Sequence, residues 1–233
     1  MAGDKTLAFD RLPSVAPYYL RAATTLSGGL DSGQTIPRIE ASISNLSIRA
    51  EHLARYRKVC GFARSQALPI TYPHVLAFPL HMAVLTHGRF PLKLLGLIHL
   101  RNEITQYRAI GNQETMDIEC ELSGPETVAK GLEFSIITRV SVEGKLVWES
   151  VSTNLCRCKT EVEDNKDKSA DSFAPEHIDY WSVQDNIGRR YAKVSGDSNP
   201  IHLFAMTARL FGFKRHIAHG MWSKARAMGT LEP

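Results

Sequence analysis

Ala77-Phe-Pro-Leu-His-Met-Ala-Val-Leu-Thr86 sets the architecture of this chain. Wound as a helix, the segment is apolar on nearly every side, which marks a helix enclosed all round and not one lying on a surface. Pro79 is expected in its first turn, where a missing N–H costs no hydrogen bond. A short extended segment, 39–48, and a short helix, 51–60 closed by Gly61, come before it. Four strand candidates come after it: 97–107, 116–122 stopped by Ser123-Gly124-Pro125, 132–142 and 145–155. The last two flank Glu143-Gly144, a two-residue hairpin signal. Strand, buried helix, then antiparallel sheet is an α+β order in which the sheet wraps round a central helix.

Beyond the sheet, residues 159–174 are charged and small, with little to bury, and read as a linker. A strand is expected over 178–183 and a helix over 186–194. A second helix, 202–211, is stopped by Gly212, and a third runs over 220–228. Met221, Trp222, Ala225 and Met228 share one face of that last helix. No strand candidate follows, so the face is expected to stand as an exposed apolar patch. The two parts also share a repeat. Tyr56-Arg-Lys-Val-Cys-Gly-Phe62 matches Tyr191-Ala-Lys-Val-Ser-Gly-Asp197, and Ala77-Phe-Pro-Leu80 matches Ala218-His-Gly-Met221. The blocks stand 135 (191 − 56) and 141 (218 − 77) positions apart, so the second copy carries six extra residues. The first copy has Phe62 and Phe78 where the second has Asp197 and His219. A duplication whose first copy lost its polar groups explains this, with a chance match of short blocks as the alternative.

Composition narrows the function classes. A length of 233 residues allows one large domain or two modest ones, and 43% hydrophobic residues suffice for an ordinary core. The charge of +4 comes without a dense Lys/Arg run, which disfavours nucleic acid. Cys60, Cys120, Cys156 and Cys158 are too few and too scattered for a disulfide framework. No His/Cys/Asp set has metal-ligand spacing and no glycine-rich phosphate loop is present. Met1–Leu20 lacks a signal-peptide core, and Val75–Leu85 is too short to span a bilayer. The expected setting is cytoplasmic.

The chemistry concentrates in 191–225. Asp197 and His202 offer a carboxylate and an imidazole five positions apart, able to hold a water and take its proton; a loop acid beside an unrelated histidine has the same look. Gly220 opens a predicted helix, so its N–H points outward at the positive end of the helix dipole, although a glycine here also simply ends a loop. Asn199-Pro200 is a turn signal. His74, His81, His87 and His99, in the first copy, read as packing or surface histidines. Arg189, Arg190, Lys214, Arg215 and Lys224 form either a phosphate-binding set or a solvated basic surface.

Asp197-Ser-Asn-Pro-Ile-His202 followed by Ile217-Ala-His-Gly-Met221 resembles the signature of MaoC-like (R)-specific enoyl-thioester hydratases. Val59-Cys-Gly-Phe62 and the segment 68–82 resemble the first half of the two-hotdog members, so the resemblance covers nearly the whole chain. It implies a double hotdog: a degenerate first hotdog over 1–158, a charged linker over 159–176, and over 177–233 the opening of a catalytic hotdog that lacks the strands after its helix. It implies a hydro-lyase of fatty acid metabolism that hydrates trans-2-enoyl thioesters or dehydrates (3R)-3-hydroxyacyl thioesters. Asp197 and His202 would be catalytic, the Gly220 N–H would meet the thioester carbonyl, and Asn199 and His219 would support them. No metal or other cofactor is expected. The partner would be an acyl-CoA or acyl-carrier-protein thioester, and a homodimer stays open. Two other readings stand beside this one, a hotdog acyl-thioesterase and a catalytically inactive acyl-thioester-binding or assembly subunit.

Overall fold

Alternating burial along the strands and unbroken burial along one helix divide the chain into sheet and centre. In chain order the elements are β1 (Lys5–Phe9), α1 (Ala16–Thr24), β2 (Ile39–Leu46), α2 (Ala50–Cys60), α3 (Tyr72–Leu85), β3 (Ile98–Gln106), β4 (Met116–Val128), β5 (Gly131–Val142), β6 (Lys145–Arg157), α4 (Ile187–Ser195), α5 (Pro200–Leu203), α6 (Ala205–Leu210) and α7 (Gly220–Leu231). The structure, a computed structural model, describes residues 5–25, 29–30, 35–94, 96–163, 178 and 180–231. The strands form one sheet in the order β1-β2-β4-β5-β6-β3. β1 runs parallel to β2 and the other pairs are antiparallel. Between β5 and β6, Glu143 (φ 51°) and Gly144 (φ 73°) both take the left-handed conformation that a two-residue hairpin needs.

α3 lies on this sheet against β2, β4 and β5. Val75, Leu76, Leu80, Val84 and Leu85 are all buried, each such side chain contributing about 1.5–3 kcal/mol. Trp148 of β6 is fully enclosed, and its indole N–H donates to the Ile70 carbonyl at 2.8 Å, tying the sheet to the approach of α3. The hotdog-like α+β arrangement is therefore present in residues 5–157. Among the described residues, no helix is long and apolar enough to cross a membrane.

The repeat is visible in three dimensions. α2 ends at Gly61 (φ 80°) and α4 at Gly196 (φ 77°), both left-handed, as a chain reversing direction after a helix requires. The paired residues Tyr56 and Tyr191 face each other with ring centroids 6.4 Å apart. Phe62 packs beside Tyr56, and the Arg57 guanidinium donates to the carbonyls of Ala63, Ser65 and Ala67. In the first copy these contacts hold the loop that in the second copy carries Asp197.

Several expectations need correction. α3 starts at Tyr72, so Pro73 takes the first-turn place and Pro79 lies inside the helix; packing on all sides outweighs the bond lost at the Val75 carbonyl. Ser123-Gly124-Pro125 does not end β4. The ladder shifts register there and resumes at Glu126, because Gly124 (φ 115°) lets the strand step aside in a bulge. Residues 178 and 180–183 form no strand. They lack a ladder partner, and Trp181 instead takes the Arg226 guanidinium over its ring at 5.3 Å. The helix expected over 202–211 breaks at Phe204, which is extended (φ −139°, ψ 143°). That break keeps His202 buried while Met206 and Leu210 stand in solvent. The apolar face of α7 is not an exposed patch: Met221, Trp222 and Ala225 are buried. The Trp222 indole donates to the Val59 carbonyl at 3.0 Å, so the first half covers this face. Of the expected linker, 159–163 lies in neither helix nor strand and 164–176 falls outside the described residues.

Candidate active site

The turn after α4 builds the site. Left-handed Gly196 releases the chain from the helix, and Asp197 then folds back on its own loop. Its Oδ1 accepts the backbone N–H of Asn199 at 3.1 Å and the hydroxyl of Tyr19 at 3.1 Å. The same Tyr19 oxygen accepts the Ser198 N–H at 2.7 Å. Burial above all, and then the Asp197 charge, push the Tyr19 phenol well above its ordinary range, so it serves as a neutral donor. The Asn199 side-chain oxygen accepts the Ile201 N–H at 3.3 Å and caps α5, the short helix that carries His202.

His202 Nδ1 lies 2.9 Å from the Ile217 carbonyl. A carbonyl only accepts, so in the neutral ring the proton sits on Nδ1 and Nε2 keeps its lone pair. The Ile217 N–H donates to the Ile201 carbonyl at 3.1 Å, joining the two motif segments back to back. The His219 ring stacks on His202 with centroids 3.8 Å apart, and its Nε2 lies 3.0 Å from the Asp197 carbonyl. Burial pushes His219 down to about 4, against the pull of the Asp197 charge, so the ring is a neutral donor that fixes the Asp197 backbone. Asp197, His202 and His219 each offer a donor atom within 4.8 Å of the others, a spacing that also admits a metal ion. Here His202 Nδ1 and His219 Nε2 are turned to backbone carbonyls.

Asp197, Asn199, His202, His219 and Gly220 all border one cavity of about 760 Å³. Its other wall comes from α3, through Val75, Phe78, Met82 and Leu85, and from Ile98 and Ile136 of the sheet. Gly220 opens α7, ahead of any carbonyl that could receive its N–H from within the helix. A Cβ at Gly220 would meet no atom within 4 Å.

Three features of the site escaped the sequence. Tyr19 reaches Asp197 from a helix 178 positions away, and no local motif marks it. His74, His81 and His99, expected as packing or surface residues, all line the cavity. Lys224 is not available to a phosphate, because its ammonium donates to the carbonyl and the side-chain oxygen of Asn102, both at 2.7 Å. Arg189 and Arg190 are likewise engaged, with the Leu203 carbonyl and the Gln184 side chain, whereas Lys214 and Arg215 are exposed beside Phe213 at the cavity wall.

Comparison with known proteins accords with this geometry. The MaoC like domain family matches residues 166–232. The 3-hydroxyacyl-thioester dehydratase X of Mycobacterium tuberculosis is 32% identical over 222 residues, which is 94% of this chain and 79% of that protein. Its crystal structure matches with a TM-score of 0.70, covering 83% of this chain and 76% of that one. A MaoC-like dehydratase from Phytophthora capsici shares the fold at 18% identity and a TM-score of 0.64, covering 84% of this chain and 74% of that one. By its likeness to the Mycobacterium protein over nearly its whole length, the chain belongs to the MaoC-like dehydratase family.

Proposed function

We propose that this protein is a hydro-lyase that interconverts trans-2-enoyl and (3R)-3-hydroxyacyl thioesters, with Asp197 and His202 as its catalytic pair. The observation that carries the reading is the anchored His202 ring: Nδ1 is fixed on the Ile217 carbonyl, which leaves Nε2 as the base, and His202 and Asp197 border one cavity of acyl-chain size. The resemblance to a named 3-hydroxyacyl-thioester dehydratase supports the reaction class.

In hydration, a water sits between Nε2 of His202 and Oδ2 of Asp197, the carboxylate oxygen left over once Oδ1 has taken its two donors. Nε2 takes one proton as the water oxygen bonds to the β-carbon. The alkene electron pair moves through the α-carbon onto the thioester oxygen, and the Gly220 N–H at the start of α7 stabilises the negative charge there. A proton returns through the Asp197–His202 pair to the α-carbon, so the net change is one water added. Dehydration runs the same steps backwards. Asn199 supports the loop through its cap on α5, and His219 through its bond to the Asp197 backbone. Lys214 and Arg215 are the exposed cations suited to the phosphates of the thioester's carrier. The division into a first hotdog over 1–158 and a second unit over 177–233 belongs to the same reading; a sheet built from residues 5–157 and the family match at 166–232 support it.

The test is the loss of the conjugated enoyl-thioester absorbance when the protein meets trans-2-decenoyl-CoA. His202→Ala and Asp197→Asn are each expected to lower kcat by at least about 100-fold, the low end of what a positioned acid or base supplies. Full activity in Asp197→Asn would overturn the assignment. Release of free thiol without enoyl loss would instead indicate a thioesterase.

A further inference from the structure

The cavity wall has a polar side that a plain hydrocarbon tail does not need. His74 is the third residue of α3, and its ring is buried to 7% exposure while lining the cavity. No hydrogen bond among the described residues engages it, and its Nδ1 is enclosed without a partner. Nδ1 is sealed from the cavity, so a ligand there would meet this ring through its other nitrogen, Nε2. Its neighbours hold it in place. His81, two turns along the same helix, meets it edge-on with ring centroids 5.2 Å apart. His81 is itself pinned by a 2.8 Å hydrogen bond between Nε2 and the Thr138 hydroxyl. His99 of β3 lies parallel to His74 on the other side, at 6.3 Å. Ser152 borders the same space, its hydroxyl accepting the Asn102 amide at 2.9 Å.

The three rings are neutral, although Arg157 also borders the cavity. Burial lowers all three imidazoles, and each ring's charge would oppose its neighbours'. Lys224, against Asn102, adds a positive charge that further disfavours protonating His74. Neutral imidazoles exchange hydrogen bonds with hydroxyl and carbonyl groups, and they do not supply the charge that would hold a carboxylate. Asp197 and His202 border the same cavity as these rings. A chain whose reacting carbons meet Asp197 and His202 thus passes these rings with its later carbons.

We propose that His74, with His81 and His99 positioning it, forms a second recognition site in the cavity, which binds a neutral oxygen function, hydroxyl or keto, borne on the acyl chain beyond the reacting carbons. This rests on the hydro-lyase reading for its substrate, so the test has an arm that needs no turnover. Isothermal titration of His202→Ala protein compares decanoyl-CoA with two decanoyl-CoA esters bearing a mid-chain or a terminal hydroxyl. At least one hydroxylated ester is expected to bind about tenfold or more tighter than the plain one, since a site built for a hydroxyl rejects the analogue lacking it. Adding His74→Leu should abolish that preference with plain decanoyl-CoA changed by less than about twofold, and His74→Gln, which keeps hydrogen-bonding capacity, should restore part of it. Kinetics on the matching trans-2-decenoyl-CoA esters should show the same preference in kcat/KM. Equal binding of plain and hydroxylated esters by a folded sample overturns the proposal, as does an equal loss for both in His74→Leu. A binding preference in a protein that turns over none of the enoyl esters would sink the hydro-lyase reading and leave the recognition site standing.

Discussion

Asp197 is a carboxylate whose geometry other residues decide. Tyr19 and the Asn199 N–H hold Oδ1, while Oδ2 lies 3.8 Å from His219 Nε2. In Tyr19→Phe the ring stays, but Oδ1 loses a donor and the Ser198 N–H loses its acceptor. A hydrogen bond to a charged group is worth about 1.5–3 kcal/mol, so kcat is expected to fall about tenfold or more. KM on trans-2-decenoyl-CoA should stay within about twofold, because this hydroxyl is already committed to Asp197 and the Ser198 N–H. An unchanged kcat would show that the Asn199 N–H alone orients the carboxylate. Tyr19 also marks where the sequence stops being readable. Asp197, Asn199, His202, His219 and Gly220 fall in two short segments whose spacing is itself a signal. Tyr19 and the three cavity histidines acquire their meaning only when distant elements meet, and nothing in their own neighbourhoods announces it.

The junction of α4 and α5 fixes the distance between base and carboxylate. Gly188, in the first turn of α4, lies so close to the His202 carbonyl that a Cβ would overlap its oxygen. Gly188→Ala must therefore push α5 outward. Overpacking of this kind costs about 1–3 kcal/mol in stability, read from a urea midpoint, and activity should fall by far more than the unfolded fraction explains. Gly220→Ala is the contrasting variant. Its methyl meets open space, so the midpoint should hold while the added group crowds the proposed carbonyl site and lowers kcat/KM. A wild-type rate in Gly220→Ala would remove Gly220 from the carbonyl site. At this scale the sheet was largely legible, because period-two burial in β5 and β6 follows directly from alternating side chains. The α5–α6 break was not. The apolar spacing runs on through Phe204, and what breaks the helix is tertiary: the Ile217–Ile201 backbone bond, with the Thr207 hydroxyl donating to the Pro200 carbonyl at 2.7 Å. The β4 bulge was hidden for a related reason, since a Ser-Gly-Pro run ends a strand or bends it depending on whether the partner strand continues.

Across the whole molecule, α7 joins the two halves. Its Trp222 bonds to Val59, and its Gly229 lies so near the end of α2 that a Cβ would sit 3.1 Å from the Gly61 carbonyl oxygen. The site and the first-half core are thus one packed body, expected to unfold in a single transition, and its buried histidines make that transition depend on pH. Burial lowers His74 and His99, holds His81 at about 3 and His219 at about 4, and also lowers His52. In the unfolded chain each returns to about 6.5. Below that value the unfolded state binds more protons than the native one, so stability falls as pH drops. Glu114 acts in the same direction, but only below the ordinary carboxylate range near 4.5, since Arg108 holds its native carboxylate down. The interval from about pH 6.5 to about pH 5 therefore belongs to the histidines. Thermal unfolding there should show Tm dropping steadily, and calorimetry in buffers of different ionisation enthalpy should show net proton uptake on unfolding. Replacing His81 with Gln should reduce that uptake. A flat Tm across the interval would mean that water reaches these rings in the native state and that the cavity wall is not dry.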